Sequence, residues 1–250
     1  LLAALRDCGV DTGGCLAVAG VSSGTYTAVL DDSGEMVLAL AHMDVCAQQT
    51  PEWLRQCAAQ RAAASLIVAD LNLPAESVAQ LLQDAQTSAA PLVIVAVSEP
   101  KMANLPADLS GLNLLILNVG ELHARVGRNL NTEADIAAAC REVHAQGVRR
   151  IIVTRGAQGV LYSEYSEYSD DHDGKDNGGS LSHIPAPVVT VRDVTGAGDS
   201  FSAAVCWSLY HAPDDLALAA RRGVALSALT VQAEQSVLPD LNVQMLEAID

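Results

Sequence analysis

Residues 193–205 read DVTGAGDSFSAAV and lie between an apolar run and a predicted helix of small residues. Two glycines at a strand-to-helix turn let the backbone approach a ligand closely. The first turn of the helix adds unpaired N–H groups and the positive end of the helix dipole. The stretch therefore predicts an anion hole formed by the backbone of Gly196, Ala197 and Gly198.

Asp199 follows these residues in the first turn of the predicted helix, where the dipole favours an ionised carboxylate. A carboxylate beside a phosphate-binding turn is well placed to accept a proton from an attacking hydroxyl. Asp199 is therefore the candidate catalytic base. The alternative interpretation is structural: Asp199 caps the helix, and the two glycines only turn the chain.

Outward from this stretch, apolar runs alternate with helical patterns. Strands are predicted at residues 65–70, 91–97, 112–117 and 150–154. Helices are predicted at about 76–87 and 132–146, and two more, beginning near Asp199 and Asp214, close the chain. Continuous apolar runs are typical of strands buried on both faces. The alternation predicts an α/β fold with a mostly parallel central sheet and helices on both faces.

Local turn and cap signals support several of these elements. Thr132 and Asp135 predict a capping box at the start of the 132–146 helix, and Gly147 predicts its end. Residues 25–30 and 35–40 flank an Asp-Asp-Ser-Gly turn, a pattern that predicts a β-hairpin. A short alternating run at 184–189 indicates one more strand before the stretch at 193–205.

In this setting, DVTGAGDSFSAAV resembles the C-terminal signature of the ribokinase (PfkB) superfamily of carbohydrate and nucleoside kinases. Two shorter motifs agree with it in order and spacing. Asn118-Val119-Gly120-Glu121 follows one predicted strand and resembles the family's NxxE motif. Thr154-Arg155-Gly156-Ala157-Gln158-Gly159 follows the next strand and resembles its T-x-G-x-x-G nucleotide loop. The resemblance extends across nearly the whole chain.

The resemblance implies a ribokinase-like domain over residues 1–250 that transfers the γ-phosphate of ATP to a hydroxyl of a sugar or nucleoside. It makes Asp199 the base and assigns the anion hole to the transferring phosphate. It further assigns Thr154, Gly156 and Gly159 to nucleotide binding. The 154–159 motif could also be a simple hairpin turn into the following strand, and both interpretations can hold together.

The resemblance also implies metal cofactors. It assigns Asn118 and Glu121 to Mg²⁺, which they would organise through water. Mg²⁺ keeps several of its waters, so one Asn and one Glu suffice. An NxxE motif is a weak signal by itself and depends here on its position before the GAGD turn. The family resemblance admits a monovalent cation such as K⁺ as well.

Within the family, the chain is most similar to the pseudouridine kinases, which phosphorylate the 5′-hydroxyl of that C-nucleoside. The similarity lies in residues 22–26, the hairpin turn, 42–44 and 68–72. The resemblance makes residues 22–43 a small β lid that excludes water from the sugar site. Thr25, Tyr26 and His42 are candidate substrate contacts, although strand alternation turns only half of the side chains inward. His42 could equally be an ordinary surface or core histidine.

Two features depart from the family pattern. Relatives begin with a strand that ends in an aspartate and with a Gly-Gly-rich segment, both of which grip the sugar. Residues 1–20 supply neither, and Leu1–Arg6 looks like the middle of a helix, so we expect the first part of the fold to be missing. Relatives also tend to carry an acidic residue and a proline at the end of the third strand. Here Ser98-Glu99-Pro100 follows that strand, and Glu99 could take the role from a shifted position.

Composition excludes several other classes of partner. The net charge of −16, with 14 basic residues, disfavours nucleic acid and anionic lipid. No apolar run approaches the roughly 18 residues of a membrane span. The six cysteines are scattered without metal-site spacing, as expected for a reduced cytoplasmic protein. The expected partner is a small sugar or nucleoside, and the resemblance adds a homodimer through the lid.

Three functions remain open at this point. The first is a kinase of pseudouridine, and the second is a kinase of another sugar or nucleoside, such as ribose, fructose or adenosine. The third is an inactive, ligand-binding member of the same fold. The intact GAGD and NxxE motifs favour an enzyme. A dinucleotide-dependent oxidoreductase is disfavoured because no GxGxxG opens an early helix.

Residues 163–182 interrupt the alternating pattern with SEYSEYSDDHDGKDNGGSLS. The composition is polar, acidic and rich in Gly and Ser, which predicts a low-complexity insert in a surface loop. Such a segment buries too little apolar area to offset the entropy of ordering its backbone. We therefore expect the insert to be dispensable for stability and turnover.

Overall fold

The computed structural model describes residues 1–30, 36–165, 180–238 and 240–249. The strands in these residues are β1 (Thr25–Leu30), β2 (Met36–His42), β3 (Ile67–Asp70), β4 (Leu92–Val95), β5 (Leu112–Asn118), β6 (Arg150–Thr154), β7 (Val160–Glu164) and β8 (Ser182–Ile184). Strands β3 to β8 form one sheet in that order. The pairs from β3 to β6 are parallel, whereas β7 and β8 are added antiparallel.

The described residues also form nine α-helices. They are α1 (Leu2–Asp7), α2 (Pro51–Gln56), α3 (Ala58–Ala63), α4 (Ala75–Ala85), α5 (Val119–Val126), α6 (Glu133–His144), α7 (Ala197–His211), α8 (Leu216–Thr230) and α9 (Gln244–Glu247). Short 3₁₀ helices span Asp44–Gln48, Glu99–Asn104 and Gly156–Gln158. Among the helices described, none has the length and apolar character that a membrane crossing requires.

The central strands separate two hydrophobic cores. In β6, Ile151 and Val153 pack into the core that α4, α5 and α6 cover, whereas Ile152 packs into the core of α7 and α8. All three side chains are fully buried, and burial of each contributes roughly 1.5–3 kcal/mol. Alternate residues of one strand thus bind helices to both faces of the sheet. The predicted α/β class, with its mostly parallel sheet, is confirmed.

The parallel strands carry the predicted motifs to one edge of the sheet. Strands β3, β4, β5 and β6 all end at this carboxyl edge because they run in the same direction. Asn118 and Thr154, the last residues of β5 and β6, are register partners. The first residues of the NxxE and T-x-G-x-x-G motifs are therefore neighbours.

The predicted capping box at the start of α6 is confirmed. The Thr132 hydroxyl accepts a hydrogen bond from the Asp135 amide (3.1 Å), and the Asp135 carboxylate accepts one from the Thr132 amide (2.9 Å). Gly147 follows the helix with a φ of +110°, a conformation that favours glycine. These contacts set the end points of α6 and so the start of β6.

Two elements differ from the prediction. Of the run at 184–189, only Ile184 belongs to a strand, and the residues after it form no regular element. Pro185 and Pro187 lack the N–H that a further ladder would need. The chain also ends with the additional short helix α9, after the two predicted ones. The turn at 31–34 lies outside the described residues.

Within the predicted lid, residues 22–43, the strands β1 and β2 form a two-stranded sheet separate from the central one. Strands β1 and β2 pair antiparallel, with Thr25 opposite His42 and Tyr26 opposite Ala41. Residues directly opposite each other lie on one face of such a pair, and successive residues lie on opposite faces. Thr25 and His42 therefore share a face, and Tyr26 lies on the other.

The predicted bounds of the insert, residues 163 and 182, are wrong at both ends because each residue lies in a strand. Ser163 lies in β7 and is buried, and Ser182 lies in β8 opposite Tyr162. Nδ1 of His144 donates to the Val148 carbonyl (2.9 Å), so Nε2 accepts from the Ser163 hydroxyl (2.8 Å). Burial of His144 lowers its pKa, which favours this neutral form. Within the predicted insert, residues 166–179 lie outside the described part of the chain.

Two deletions test the corrected boundaries. Because β7 and β8 are antiparallel neighbours, a short Gly/Ser turn in place of residues 166–179 can join them, and we expect the melting temperature to be nearly unchanged. A turn in place of residues 163–182 also removes Ser163 and leaves Nε2 of His144 without its hydrogen-bond partner. This loss should lower the free energy of unfolding by about 1–3 kcal/mol. That deletion should lower the melting temperature by several degrees, since each kcal/mol shifts it by roughly 2–4 °C in a protein of this size. Thermal denaturation by circular dichroism compares the two, and equal melting temperatures would contradict the assignment.

Candidate functional site

A cavity of about 410 Å³ lies at the carboxyl end of β6. The loop after β6 contributes Thr154, Gly156 and Gly159 to its lining, and the first turn of α7 contributes Ala197 and Gly198. The nucleotide loop and part of the anion hole, predicted from separate motifs, thus line the same cavity.

The loop after β6 is a tight turn. The Arg155 amide donates to the Gly159 carbonyl (2.8 Å), and the turn leads directly into β7. Gly159 has a φ of +82°, and a Cβ there would overlap the carbonyl oxygen of Ile184. Gly156 has a φ of +54° and faces open space. The structural interpretation of this motif is therefore correct, and the turn also borders the cavity.

An ion pair ties this loop to a helix. Nη1 of Arg155 donates to the Glu133 carboxylate at the start of α6 (2.6 Å), and Nε donates to Gln158 (3.2 Å). The hydrogen bond from Arg155 lowers the pKa of Glu133. The Arg155 side chain, engaged in this way, helps to hold the loop beside the cavity.

The first turn of α7 is anchored to the chain that follows α8. Gly196 is the residue before the helix and has a φ of +81°. A Cβ at this position would overlap the carbonyl oxygen of Ser236. The amides of Arg192 and Asp193 donate to the Val231 carbonyl at 2.7 and 3.3 Å. Position 196 thus requires glycine for two reasons, the positive φ of its backbone and the close approach of Ser236.

Gly198 differs from Gly196 in both respects. Its φ lies outside the left-handed region, and a Cβ added to it would meet no atom within 4 Å. The described fold therefore has no need for glycine at this position. A residue without a side chain at the cavity wall instead leaves room for a ligand to approach the helix amides.

Asp199 is exposed in the first turn of α7. Within the described residues its carboxylate has no hydrogen-bond or ion-pair partner, and no side chain caps this helix. The capping alternative is therefore not supported. Asp199 follows directly after Ala197 and Gly198, which line the cavity.

Asn118 and Glu121 form the capping box of α5. The Asn118 side chain accepts from the Glu121 amide (2.9 Å), and the Glu121 carboxylate accepts from the Asn118 amide (2.7 Å). The Glu99 carboxylate lies against Gly120, between these two residues. Burial raises the pKa of Glu121, and the charge of Glu99 raises it further. The NxxE motif thus has a structural role whether or not it also organises a metal.

The oxygen donors of Asn118, Glu121 and Glu99 are of the type that Mg²⁺ prefers. The described residues contain no group of three or more His, Cys, Asp and Glu side chains that could hold a metal ion. Because Mg²⁺ keeps several of its waters and needs few protein ligands, one carboxamide and two carboxylates fit a Mg²⁺ ion held largely through water, with Glu99 beside the predicted pair.

The three residues predicted to contact the substrate from the lid do not line this cavity. Thr25, Tyr26 and His42 are all exposed and do not line it. Nε2 of His42 lies 3.4 Å from the Asp44 carboxylate. Because Tyr26 lies on the opposite face from the other two, one face of the lid can present Thr25 and His42 together but not all three residues.

Sequence reasoning missed two walls of the cavity. One wall is the segment 186–194, where Val188, Val191 and Val194 are exposed. The other is a face of α8 that carries Val224, Ser227 and Ala228 and continues to Val231, the residue after the helix. Their spacing of three, one and three residues marks one face of a helix and could have been recognised. In sequence, however, such a face is typical of ordinary core packing.

Solved structures show which class this fold belongs to. A carbohydrate kinase from Agrobacterium tumefaciens matches with a TM-score of 0.72 and 27% identity, covering 93% of this chain and 69% of that one. Arabidopsis thaliana ribokinase, solved with ribose and ATP, matches with a TM-score of 0.70 and 19% identity, over 90% of this chain and 69% of that one. The molecule has a ribokinase-like fold.

The sequence comparisons are more specific. The model of the pfkB family of carbohydrate kinases matches residues 1–241. Pseudouridine kinase from Escherichia coli strain K12 is 30% identical over 248 residues, which cover 97% of this chain and 73% of that relative. The chain therefore belongs to the pfkB family of carbohydrate kinases, as the motifs predicted.

The two glycines of the α7 turn provide a matched pair of variants. Gly196→Ala should lower stability by at least about 1–2 kcal/mol, because a Cβ is strained at positive φ and overlaps Ser236. Gly198→Ala should leave the melting temperature unchanged or slightly higher, since alanine is favoured over glycine in a helix. It should nevertheless weaken ATP binding about tenfold or more, because the added methyl group faces the cavity. Thermal denaturation and titration calorimetry measure the two effects, and normal ATP affinity in Gly198→Ala would argue against a phosphate site here.

Proposed function

We propose that this protein is an ATP-dependent kinase and that its acceptor is the 5′-hydroxyl of pseudouridine. Family membership establishes a carbohydrate kinase, a phosphotransferase with a hydroxyl acceptor. The observation that carries the proposal is the shared cavity, which the T-x-G-x-x-G loop and the GAG turn of α7 both line.

The cavity suits a nucleotide with its base and phosphates at different places. Phe201, Val224 and Val231 give it apolar walls that suit a base. At the α7 turn, the amides of Gly196 and Gly198 and the helix dipole would receive phosphate. The Ala197 amide donates to the Val194 carbonyl (3.2 Å) and would have to exchange this bond to take part. Lys and Arg side chains are absent from the described lining, so phosphate binding would depend on backbone amides and on a metal.

Asp199 is the proposed catalytic base. It is exposed, unengaged by other described side chains and adjacent to the phosphate-binding turn. As the acceptor oxygen bonds to the γ-phosphorus, its proton passes to the Asp199 carboxylate, and the bond from the γ-phosphorus to the bridging oxygen of ADP breaks. Asp199 also orients the hydroxyl before attack.

Asn118, Glu121 and Glu99 are the proposed residues for Mg²⁺, held largely through water. When bound, Mg²⁺ neutralises charge on the nucleotide phosphates. The position of Asn118 beside Thr154 at the carboxyl edge of the sheet supports this assignment. A monovalent cation such as K⁺ remains a prediction from the family resemblance.

The acceptor is the most specific part of the proposal. It is supported by the 30% identity to a pseudouridine kinase and by the lid hairpin. Thr25 and His42 share one face of the lid and are the proposed substrate contacts, whereas Tyr26 lies on the other face. Exposed Val29, Leu38 and Leu40 suit either closure over a substrate or the predicted homodimer through the lid. A cytoplasmic location also remains a prediction.

The metal assignment is tested with Glu121→Gln. Glutamine keeps an oxygen that can accept from the Asn118 amide, so the capping box and the fold should survive. The loss of one carboxylate charge should raise the Mg²⁺ concentration needed for half-maximal rate severalfold or more. Asp135→Asn changes the same position in the capping box of α6 and is the matched control. An equal Mg²⁺ dependence in both variants and in the wild type would remove Glu121 from the metal site.

The role of Asp199 is tested with Asp199→Asn. A positioned base contributes about 10²–10⁴-fold to the rate, so kcat should fall roughly a hundredfold or more. The melting temperature and ATP affinity should be unchanged, because the backbone of the α7 turn remains. Asp214→Asn is the matched control, since Asp214 pairs with Arg149 and Arg150 at the opposite edge of the sheet and should leave kcat unchanged.

The rates are measured with ATP and a panel of acceptors: pseudouridine, uridine, adenosine, ribose and fructose. We expect pseudouridine to give the highest kcat/KM. A better rate with another acceptor would replace pseudouridine but keep the kinase mechanism. Near-normal turnover by Asp199→Asn would contradict the assignment of the base. ATP binding by the wild type without phosphorylation of any acceptor would favour the inactive, ligand-binding member of the fold.

A further inference from the structure

The cavity contains few groups that could distinguish one nucleotide base from another. Among the described residues that line it, Thr154 and Ser227 have the only polar side chains, and none is charged or bears a carboxamide. Discrimination between similar ligands depends on a few fixed polar groups in an otherwise apolar pocket. Side-chain recognition of a base in this cavity therefore depends on hydroxyl groups alone.

The two hydroxyl residues lie in different parts of the cavity. Thr154 ends β6 at the nucleotide loop, whereas Ser227 lies on α8 between apolar residues of the same face, Val224, Ala228 and Val231. Within the described chain, the Ser227 hydroxyl has no hydrogen-bond partner. Ser227 is thus an unpaired polar group in the apolar wall that suits a base.

A hydroxyl group does not favour one purine over the other. Adenine carries an amino donor at its six-position, and guanine carries a carbonyl acceptor there. A serine hydroxyl rotates and can either accept or donate a hydrogen bond. We propose that the donor site binds ATP and GTP with similar affinity, through a purine contact made by Ser227. This inference rests on the proposed function, which places the nucleotide in this cavity.

The wall formed by residues 186–194 supports the same conclusion. Residues 186–191 belong to neither a helix nor a strand, and the Val188 side chain is fully exposed. In the described part of the chain, no hydrogen bond holds the backbone groups of Val188 or Val189. Strong discrimination needs donors and acceptors that are held in one arrangement before the ligand binds. Neither the α8 face nor residues 186–191 supply donors and acceptors that are fixed in this way in the described structure.

The apolar walls favour purines over pyrimidines. Two fused rings bury more surface against Phe201 and Val224 than a single ring does, and a smaller base leaves lining atoms without contacts. We therefore expect CTP to bind about tenfold or more weakly than either purine nucleotide.

Titration calorimetry with ATP, GTP and CTP at one Mg²⁺ concentration tests this proposal. We expect the Kd values of ATP and GTP to agree within about fivefold. Failure of both to bind would overturn the proposed function together with this inference. Binding of ATP with GTP more than a hundredfold weaker would overturn this inference alone and would leave the kinase proposal standing.

Two substitutions at Ser227 test its contact with the base. Ser227→Ala should weaken the binding of ATP and of GTP to a similar extent, by about a few-fold each. Ser227→Asp introduces a group that only accepts hydrogen bonds, so it should change the ATP-to-GTP affinity ratio about tenfold or more. The change should favour ATP if the carboxylate faces the six-position of the purine, and GTP if it accepts from the N–H donors at positions one and two of guanine. Leu229→Asp places the same charge on the exposed side of α8, outside the cavity, and should leave the ATP-to-GTP ratio unchanged. An unchanged ratio in Ser227→Asp would show that Ser227 does not contact the base.

Discussion

The left-handed backbone at Gly196 determines how the whole candidate site is assembled. With a φ of +81°, this residue turns the chain into α7 and lets the Ser236 carbonyl approach where a side chain would lie. Two amides before the turn donate to Val231, which also lines the cavity. The start of α7 and the end of α8 are thereby held together. The cavity, its helix amides and the position of Asp199 all follow from this junction.

The proposed binding of nucleotide phosphates would depend on sources of positive potential other than basic side chains. The chain carries a net charge of −16, and the described cavity lining contains no Lys or Arg. Arg155, although next to the cavity, is committed to Glu133 and Gln158. On the proposed function, backbone amides at the helix start would supply this potential without a formal charge, and a bound metal would supply the rest. Because no Lys or Arg side chain lines the described cavity, none pairs with the Asp199 carboxylate there, and the carboxylate stays available to a substrate hydroxyl.

Several candidate residues combine structural and chemical roles. Asn118 and Glu121 close the first turn of α5 through reciprocal hydrogen bonds, and Gly159 is required by the approach of β8. Such residues are poor indicators of function on their own, because the fold needs them in any case. Gly198 and Asp199 are more informative, since the described fold makes no use of the missing side chain or of the free carboxylate. The proposed function supplies a reason for both residues that the fold does not.

The amino-acid sequence was sufficient for features that depend on neighbouring residues. The capping box of Thr132 and Asp135, the apolar strands and the GAGD turn were all predictable, because backbone preferences and caps act over a few positions. It was insufficient for the meeting of distant segments. These are Ser163 on His144, Glu99 against Gly120, and Ser227 in the same cavity lining as residues 186–191. No local pattern encodes these pairs, since packing of the helices on the two sheet faces decides which residues meet. The motifs and the fold class were therefore available from the sequence, whereas the shape and lining of the cavity were decided by the tertiary structure.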